Sequence, residues 1–245
     1  MSIETAHLRI GRVAMLADNY AWRIEDKASG AVAFVDPAEA APALAAIRAA
    51  GGRLDLILLT HHHADHIAGA EALARETGAK LVGNAADAGR LPKLDIALSE
   101  GDAIDLGATP VSMLATPGHT VGHVTYVFGA EAAACGDTVF SLGCGRMFEG
   151  SPEQFFASLA KIAALPKDVW LLCGHEYTMA NARFARSVDP DNEALRARAE
   201  EVDRLRAGDA PTLPVRLADE LATNPFLRAK SPEDFARLRA GKDSF

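Results

Sequence analysis

Residues 60–66 read Thr-His-His-His-Ala-Asp-His and directly follow the apolar run Leu-Asp-Leu-Ile-Leu-Leu at 54–59. The apolar run predicts a buried strand, and residues 67–77 predict a helix that ends at Gly78. The histidine motif therefore lies on a strand-to-helix turn, where side chains are exposed on a rigid base. A short stretch of this kind decides the fold, because few roles other than metal binding require so many imidazoles in one turn.

The spacing within the motif is typical of metal ligands. His61 and His63 lie two apart on an extended chain and can face the same side, whereas Asp65 and His66 lie where the chain changes direction. His62 alternates away from its neighbours and is predicted not to be a ligand. One stretch could therefore supply ligands to two neighbouring ions. The alternative is a solvated histidine-rich loop or an adventitious nickel or zinc binder, which would need no further ligands elsewhere.

Further candidate ligands follow three other predicted strands. Each comes after an apolar run and a glycine: His119 after 111–115, Asp137 after 132–134 and His175 after 169–173. Glycine lets the backbone turn sharply enough to aim the next side chain. We therefore expect these side chains to meet the histidine motif at one edge of a sheet, which argues against the solvated loop.

Composition limits the class of protein. The chain has 245 residues, 49% hydrophobic and 24% charged, as in an ordinary globular protein of one or two domains. No apolar run approaches the roughly 20 residues that cross a bilayer, and the N-terminus lacks the apolar region of a signal peptide, so we expect a cytoplasmic protein without a membrane partner. The three cysteines lack C-x-x-C spacing and are expected to be reduced thiols.

Charge indicates a small-molecule partner. The formal net charge is −8, whereas nucleic acid binding needs a basic face, so nucleic acid is not expected as the main partner. A small anion needs only a local basic pocket. We further expect a monomer.

Strands dominate the first part of the chain and helices the last. Predicted strands lie at 32–35, 54–59, 80–83, 111–115, 123–128, 132–135 and 169–173. Predicted helices lie at 42–50, 67–77, 152–165 and 192–207, and another begins near Ser231. From about residue 176 no further strands are predicted. This order favours a mixed α/β catalytic domain over residues 1–175 and a small helical domain over residues 176–245.

With these motifs the chain resembles the metallo-β-lactamase-fold hydrolases, and within that superfamily the glyoxalase II (hydroxyacylglutathione hydrolase) family. The resemblance extends over essentially the whole chain. Besides the metal motif it includes Cys-Gly-Arg-Met-Phe-Glu-Gly at 144–150, Gly-His-Glu-Tyr-Thr at 174–178 and Asn-Pro-Phe-Leu-Arg at 224–228. It implies an αββα sandwich with a small helical C-terminal domain that binds substrate.

The resemblance also implies a binuclear metal centre. One ion would be held by His61, His63 and His119 and the second by Asp65, His66 and His175, with Asp137 as the bridge. Asp65 and Asp137 are thereby the candidate catalytic residues. Two divalent ions are expected, with zinc favoured and iron or manganese as alternatives, because imidazole and carboxylate ligands do not choose sharply among these metals. Metal-bound water has a pKa near about 7, so hydroxide would be available at neutral pH.

The implied reaction is hydrolysis of the thioester of S-(2-hydroxyacyl)glutathione, such as S-D-lactoylglutathione, to a 2-hydroxy acid and glutathione. A thiol leaving group with a pKa near about 8.5 needs no protein acid, and none is assigned. The expected substrate-binding residues are Arg146, Phe148, Tyr177, Arg228 and Lys230. Phe148 lacks the hydroxyl that many relatives carry at its place, and Lys230 is included because it lies near Arg228.

Other functions use similar motifs. The nearest is the mononuclear iron persulfide dioxygenase of the same superfamily, which would need one iron and consume oxygen. A lactonase or β-lactamase would not account for the segments 144–150 and 224–228 together. A metal buffer without enzymatic activity would have no use for a C-terminal substrate domain.

Overall fold

Two large sheets form the centre of the computed structural model, which describes residues 2–245. The seven strands of the first sheet lie side by side in chain order, antiparallel from β1 to β4 and parallel from β4 to β7. Their bounds are β1 Ser2–Glu4, β2 Leu8–Met15, β3 Asn19–Asp26, β4 Val32–Val35, β5 Leu56–Leu58, β6 Lys80–Asn84 and β7 Ile96–Leu98. The antiparallel hairpin of β2 and β3 was not predicted from the sequence.

Helices cover the outer face of this sheet. They are α1 Ala40–Ala49, α2 Ala64–Ile67 and α3 Ala70–Thr77, with a 3₁₀ turn at Ala85–Asp87. Side chains alternate along the buried strands: Val32 and Phe34 pack with the helices, while Ala33 and Leu58 pack toward the second sheet. A strand that is buried on both faces reads as a continuous apolar run, and this is why 54–59 could be recognised as a strand.

The second sheet has the order β15-β14-β11-β10-β9-β8. Its strands and an adjoining two-stranded hairpin are β8 Ala103–Leu106, β9 Thr109–Ala115, β10 Val124–Phe128, β11 Ala132–Gly136, the hairpin β12 Val139–Phe140 with β13 Gly143–Cys144, β14 Trp170–Cys173 and β15 Val215–Arg216. Helix α4, Pro152–Ala163, begins after the N-cap Ser151, which forms a capping box with Gln154. The arrangement is the expected αββα sandwich.

Helices dominate the end of the chain, as predicted. They are α5 Thr178–Val188, α6 Glu193–Ala207, α7 Leu217–Thr223 and α8 Pro232–Asp243. The expectation of no strand beyond about residue 176 is wrong, because β15 pairs antiparallel with β14 and joins the two parts of the chain. None of the helices within residues 2–245 is both long and apolar enough to cross a membrane.

The predicted single helix at 67–77 is also wrong, because it is divided into α2 and α3. Gly69 lies at the division, and its N–H donates to the carbonyl of Pro37 (2.9 Å). A Cβ at Gly69 would lie 2.5 Å from the Ala40 nitrogen, so only glycine allows this close approach. Helix α2 is thereby a separate turn that carries Asp65 and His66.

Candidate metal centre and substrate cavity

Seven predicted ligands converge at one end of the sandwich. On the side of the first sheet, the loop after β5 supplies His61 and His63 and helix α2 supplies Asp65 and His66. The loops after β9, β11 and β14 each supply one ligand from the second sheet. Six of them fall into two groups, in each of which the ligand atoms lie within 4.8 Å of one another: His61 with His63 and His119, and Asp65 with His66 and His175. The predicted grouping of side chains is therefore present before any ion is considered.

The atoms of the two groups are closely spaced. Nδ1 of His63 lies 3.0 Å from Nε2 of His61 and 3.0 Å from Nε2 of His119. In the second group, Nε2 of His175 lies 3.3 Å from Nε2 of His66. Ligands held about 2.0–2.1 Å from a tetrahedral zinc ion lie about 3.3 Å apart, so both groups have the spacing of a metal cage.

Asp137 lies between the two groups. Its Oδ2 is 3.4 Å from Nε2 of His119 and 3.4 Å from Nε2 of His175, and its Oδ1 is 3.4 Å from Nε2 of His66. The side chain is buried, and Oδ1 has no hydrogen-bond partner. A buried carboxylate oxygen is rarely left unpaired, and a bound cation would satisfy it. The position suits the bridging role expected for Asp137.

The ligands of the second group have fixed ring orientations. His66 Nδ1 donates to Oδ2 of Asp36 (3.0 Å), and His175 Nδ1 donates to Oδ1 of Asp18 (2.9 Å). A proton held on Nδ1 leaves the lone pair on Nε2, which is the atom that faces the group. Asp36 therefore supports a ligand.

The first group is oriented in the same way. His119 Nδ1 donates to the carbonyl of Arg146 (2.8 Å). Oγ1 of Thr60 donates to Asp36 (2.6 Å) and so accepts from His61 Nδ1 (3.0 Å). Lone pairs on Nε2 of His61 and His119 therefore point at the same space. Converging lone pairs without protons repel one another unless a cation lies between them, so the donor set fits a metal ion.

Neighbouring histidines serve other purposes. Nε2 of His123 accepts from the backbone N–H of Asp137 (3.0 Å), so His123 is a buried hydrogen-bonding residue rather than a ligand. His62 faces Asp87 and Glu149, at 3.5 and 4.0 Å, and lies outside both groups, as predicted.

The carboxylates of the site are held ionised. Burial opposes the charge of Asp137, but His66 and His175 outweigh it and hold the pKa of Asp137 well below its usual value. The neighbouring imidazole of His175 is the main cause that lowers the pKa of Asp65. Burial alone would lower the pKa of His175, yet the carboxylates of Asp137 and Asp65 raise it to about 10. The carboxylates of the cluster therefore stabilise positive charge beside them.

A cavity of about 420 Å³ opens beside the ligands. The residues that line it besides the ligands are Phe140, Cys144, Arg146, Phe148, Tyr177, Asn181, Arg239 and Lys242. The Tyr177 ring stacks on His175 with centroids 4.6 Å apart, and burial raises the pKa of Tyr177 to about 12, so its phenol is a neutral donor. Phe148 is 60% exposed and lies edge-on to His119.

Two expected substrate contacts lie outside this cavity. Arg228 is exposed, donates to the carbonyl of Ala222 (3.1 Å) and lies 3.5 Å from Asp189. Lys230 is exposed at the start of the segment that leads into α8. In this structure the chain after α7 places both residues away from the metal ligands, and their role in substrate binding stays a prediction.

The basic residues that do reach the cavity from the C-terminal segment are Arg239 and Lys242, which sequence reasoning missed. They lie three apart on α8, one turn from each other, so they share a face of the helix. Arg239 is buried and donates to the carbonyls of Cys144 (3.0 Å) and Gly145 (3.3 Å). The spacing of these two basic residues along a helix can be seen in the sequence. However, no neighbouring residue indicates whether that face of the helix contacts a cavity or the solvent.

Comparison with known proteins matches both parts of the chain. A family model described as the metallo-beta-lactamase superfamily matches residues 20–175, and one described as the hydroxyacylglutathione hydrolase C-terminus matches residues 176–245. The chain is 68% identical to the hydroxyacylglutathione hydrolase of Acidiphilium cryptum over 100% of both chains. It is 51% identical to that of Methylococcus capsulatus, covering 94% of this chain and 91% of the relative.

A solved structure supports the fold alone. The crystal structure of ETHE1 from Myxococcus xanthus superposes with a TM-score of 0.72 at 24% identity, covering 94% of this chain and 89% of that protein. At this identity the likeness extends to the αββα architecture and not to the reaction.

Proposed function

The chain belongs to the hydroxyacylglutathione hydrolase family of the metallo-β-lactamase superfamily, and we propose that it hydrolyses S-(2-hydroxyacyl)glutathione to a 2-hydroxy acid and glutathione. One observation carries the proposal: the cage of imidazoles and carboxylates opens into a cavity whose far wall bears Arg239 and Lys242. Glutathione is a peptide with two carboxylates, and a wall with two cations is complementary to it.

We propose that the metal ligands act as expected from the sequence. His61, His63 and His119 would hold one divalent cation, Asp65, His66 and His175 the other, and Asp137 both. Such cations supply an acidic water and a Lewis acid for a carbonyl oxygen. Zinc suits this donor set, while iron and manganese remain alternatives.

The side chains around the cavity would divide substrate binding. Arg239 and Lys242, with the exposed Arg146, face the glutathione portion as cations. Tyr177, neutral at physiological pH, can donate a hydrogen bond to a peptide oxygen beside His175. Phe148 lies beside the first ligand group, where an apolar ring excludes water from the bound thioester.

A departing thiolate needs no proton donor, because its conjugate thiol has a pKa of only about 8.5. This removes the need for a protein acid near the sulfur. The titratable side chains that line the cavity, apart from the buried thiol of Cys144, can be assigned to ligation or binding.

The helical segment separates this proposal from its rivals. We propose residues 1–175 as the catalytic domain and 176–245 as the domain that binds glutathione. A mononuclear iron dioxygenase would leave one of the two ligand groups without a purpose, and a lactonase would have no use for the cationic wall. The cytoplasmic location and the monomeric state expected from the sequence stay predictions.

The experiment is an assay of S-D-lactoylglutathione cleavage, followed by loss of thioester absorbance and run beside elemental analysis. We expect two metal ions per chain and saturable hydrolysis, with a simple lactone cleaved far less efficiently. A single iron with consumption of oxygen would favour the dioxygenase. A lactone cleaved more efficiently than the thioester would refute the substrate while leaving the metal centre intact.

A further inference from the structure

A strained turn adjoins the metal centre. It comprises residues 140–143, from the last residue of β12 to the first residue of β13, and all four are buried. Leu142 has a φ of 58°, a left-handed conformation that costs a non-glycine residue on the order of 1 kcal/mol or more. Phe140 packs edge-on against His175 and Tyr177 and lines the cavity. A turn in this conformation must be stabilised by contacts with residues outside the turn.

The carboxylate of Glu220, on α7, provides the first of these contacts. Oε1 accepts from Oγ of Ser141 (2.7 Å), and Oε2 accepts from the backbone N–H of Leu142 (2.7 Å) and from Nδ2 of Asn224 (2.9 Å). Glu220 is fully buried, and burial raises its pKa against the opposing effect of these donors. Burying a carboxyl group costs free energy. The three hydrogen bonds that Glu220 accepts offset this cost, and together they hold the turn in place.

The side-chain amides of two asparagines also hydrogen-bond to the turn. Nδ2 of Asn224 donates to the carbonyls of Phe140 (3.1 Å) and Gly143 (2.9 Å), and Nδ2 of Asn181, on α5, donates to the carbonyl of Ser141 (3.1 Å). Every one of these partners belongs to the segment 176–245. The C-terminal helices therefore determine the conformation of a turn in the catalytic domain.

The chain that leaves this turn runs directly under the ligands. A Cβ at Gly145 would lie 2.0 Å from the carbonyl oxygen of Asp137, so the backbone is in close contact there. The next carbonyl, of Arg146, accepts the Nδ1 proton of His119 (2.8 Å) and thereby fixes which nitrogen of His119 faces the metal group. A shift of the turn would be transmitted over four residues to this hydrogen bond.

We propose that Glu220, with Asn224, is a positioning residue for the metal centre: by fixing the turn at 140–143 it places the Arg146 carbonyl that orients His119. The C-terminal helices would then determine metal affinity as well as substrate binding. This inference rests on the proposed metal centre, but not on the identity of the substrate.

Two substitutions separate geometry from charge. Glu220→Gln removes the charge but keeps all three contacts, because its oxygen can accept from Leu142 and Asn224 while its amide donates to the Ser141 hydroxyl. Glu220→Asp keeps the charge but withdraws the carboxylate by one methylene. Glu220→Ala removes every contact, and Asp219→Ala, on the exposed side of the same helix, is the matched control.

The measurement is Zn²⁺ affinity of metal-free protein, by competition with a chelator and without substrate. We expect Glu220→Asp and Glu220→Ala to bind Zn²⁺ about ten- to a hundredfold more weakly, as for other residues that orient ligands, and Glu220→Gln and Asp219→Ala to stay within about threefold of wild type. At full metal loading, kcat should fall in Glu220→Asp with KM within about twofold.

The opposite results overturn the proposal. If Glu220→Gln binds Zn²⁺ as weakly as Glu220→Asp, keeping the three contacts is not enough to preserve the metal site, and the positioning role is refuted. If all variants bind Zn²⁺ like wild type, the turn does not reach the ligands. Should Glu220→Asp fail to fold by circular dichroism, Glu220 serves the fold rather than the site, and the proposal is equally lost. Tight Zn²⁺ binding without thioester cleavage would instead refute only the proposed function.

Discussion

Lys242→Ala tests directly which residues bind glutathione. Nζ of Lys242 donates to the carbonyl of Ala180 (3.0 Å) and lies over the Phe184 and Phe245 rings at 5.6 and 5.8 Å. Its bond to a neutral carbonyl leaves the charge available for a substrate carboxylate. The side chain lines the cavity but is only half-buried, so solvent weakens that interaction.

The expected size follows from this position. Hydrogen bonds to charged groups contribute about 1.5–3 kcal/mol, and partial exposure favours the lower end, about 1.5 kcal/mol. That free energy corresponds to a change in affinity of roughly tenfold. Because the contact is remote from the ligands, it should be equal in ground and transition states, so KM for S-D-lactoylglutathione should rise about tenfold with kcat within about twofold.

The same residue predicts a pH dependence. Burial, followed by the neighbouring Arg239, lowers the pKa of Lys242. The ammonium is charged below its pKa and neutral above it, so KM of the wild type should rise on the alkaline side at a lower pH than an ordinary lysine would cause. In Lys242→Arg, which stays charged throughout, this alkaline rise should disappear when KM is measured across the pH range.

Lys230→Ala is the matched comparison, since it removes a lysine from the same segment outside the cavity. We expect its KM to equal that of the wild type. The reasoning is refuted if the KM of Lys242→Ala stays within twofold of the wild-type value while the KM of Lys230→Ala rises. The prediction from the sequence that Lys230 binds the substrate would then be correct, and the substrate would not bind in the cavity described above.

Three further substitutions test the site. Asp137→Ala should lower turnover more than tenfold and reduce the metal content measured by elemental analysis, since its carboxylate faces both ligand groups. Asp36→Ala should weaken Zn²⁺ binding about ten- to a hundredfold in a chelator competition, because His66 loses the acceptor that orients it, and Asp36→Asn should restore part of this affinity. Phe148→Tyr should lower KM by about two- to threefold in the thioester assay, a small gain because the residue is 60% exposed.

The metal ligands could be predicted from the sequence because their signals are local. His61 and His63 are two apart on a chain that a preceding apolar strand keeps extended, and the ligands after β11 and β14 each follow a strand and a glycine. Because the strands end at the same edge of the sandwich, the ligands that follow them lie close together, and this does not depend on how the core side chains pack. The prediction therefore needed the type of each element but not its exact bounds.

The cationic wall could not be predicted in the same way. Whether a basic residue of the C-terminal segment reaches the cavity depends on how α8 packs, and this is determined by distant contacts such as Phe155 with Phe235 (5.2 Å between ring centroids). Arg228 follows a recognisable motif, yet its guanidinium lies near Asp189. The predicted contact of Arg228 rested on its position in the motif that begins at Asn224, and the side chain of Asn224 itself points to the turn at 140–143.

The groups that orient the imidazoles come from four separate places in the fold. Thr60 lies beside its ligand, Asp36 follows β4, Asp18 lies between β2 and β3, and the Arg146 carbonyl follows β13. No single element can therefore set the geometry of the metal centre. Each ring is fixed by a different part of the sandwich, so the cost of arranging the ligands is met during folding rather than when the metal binds. Small shifts between the sheets, or between the sheets and the C-terminal helices, should accordingly change metal affinity before they change the fold.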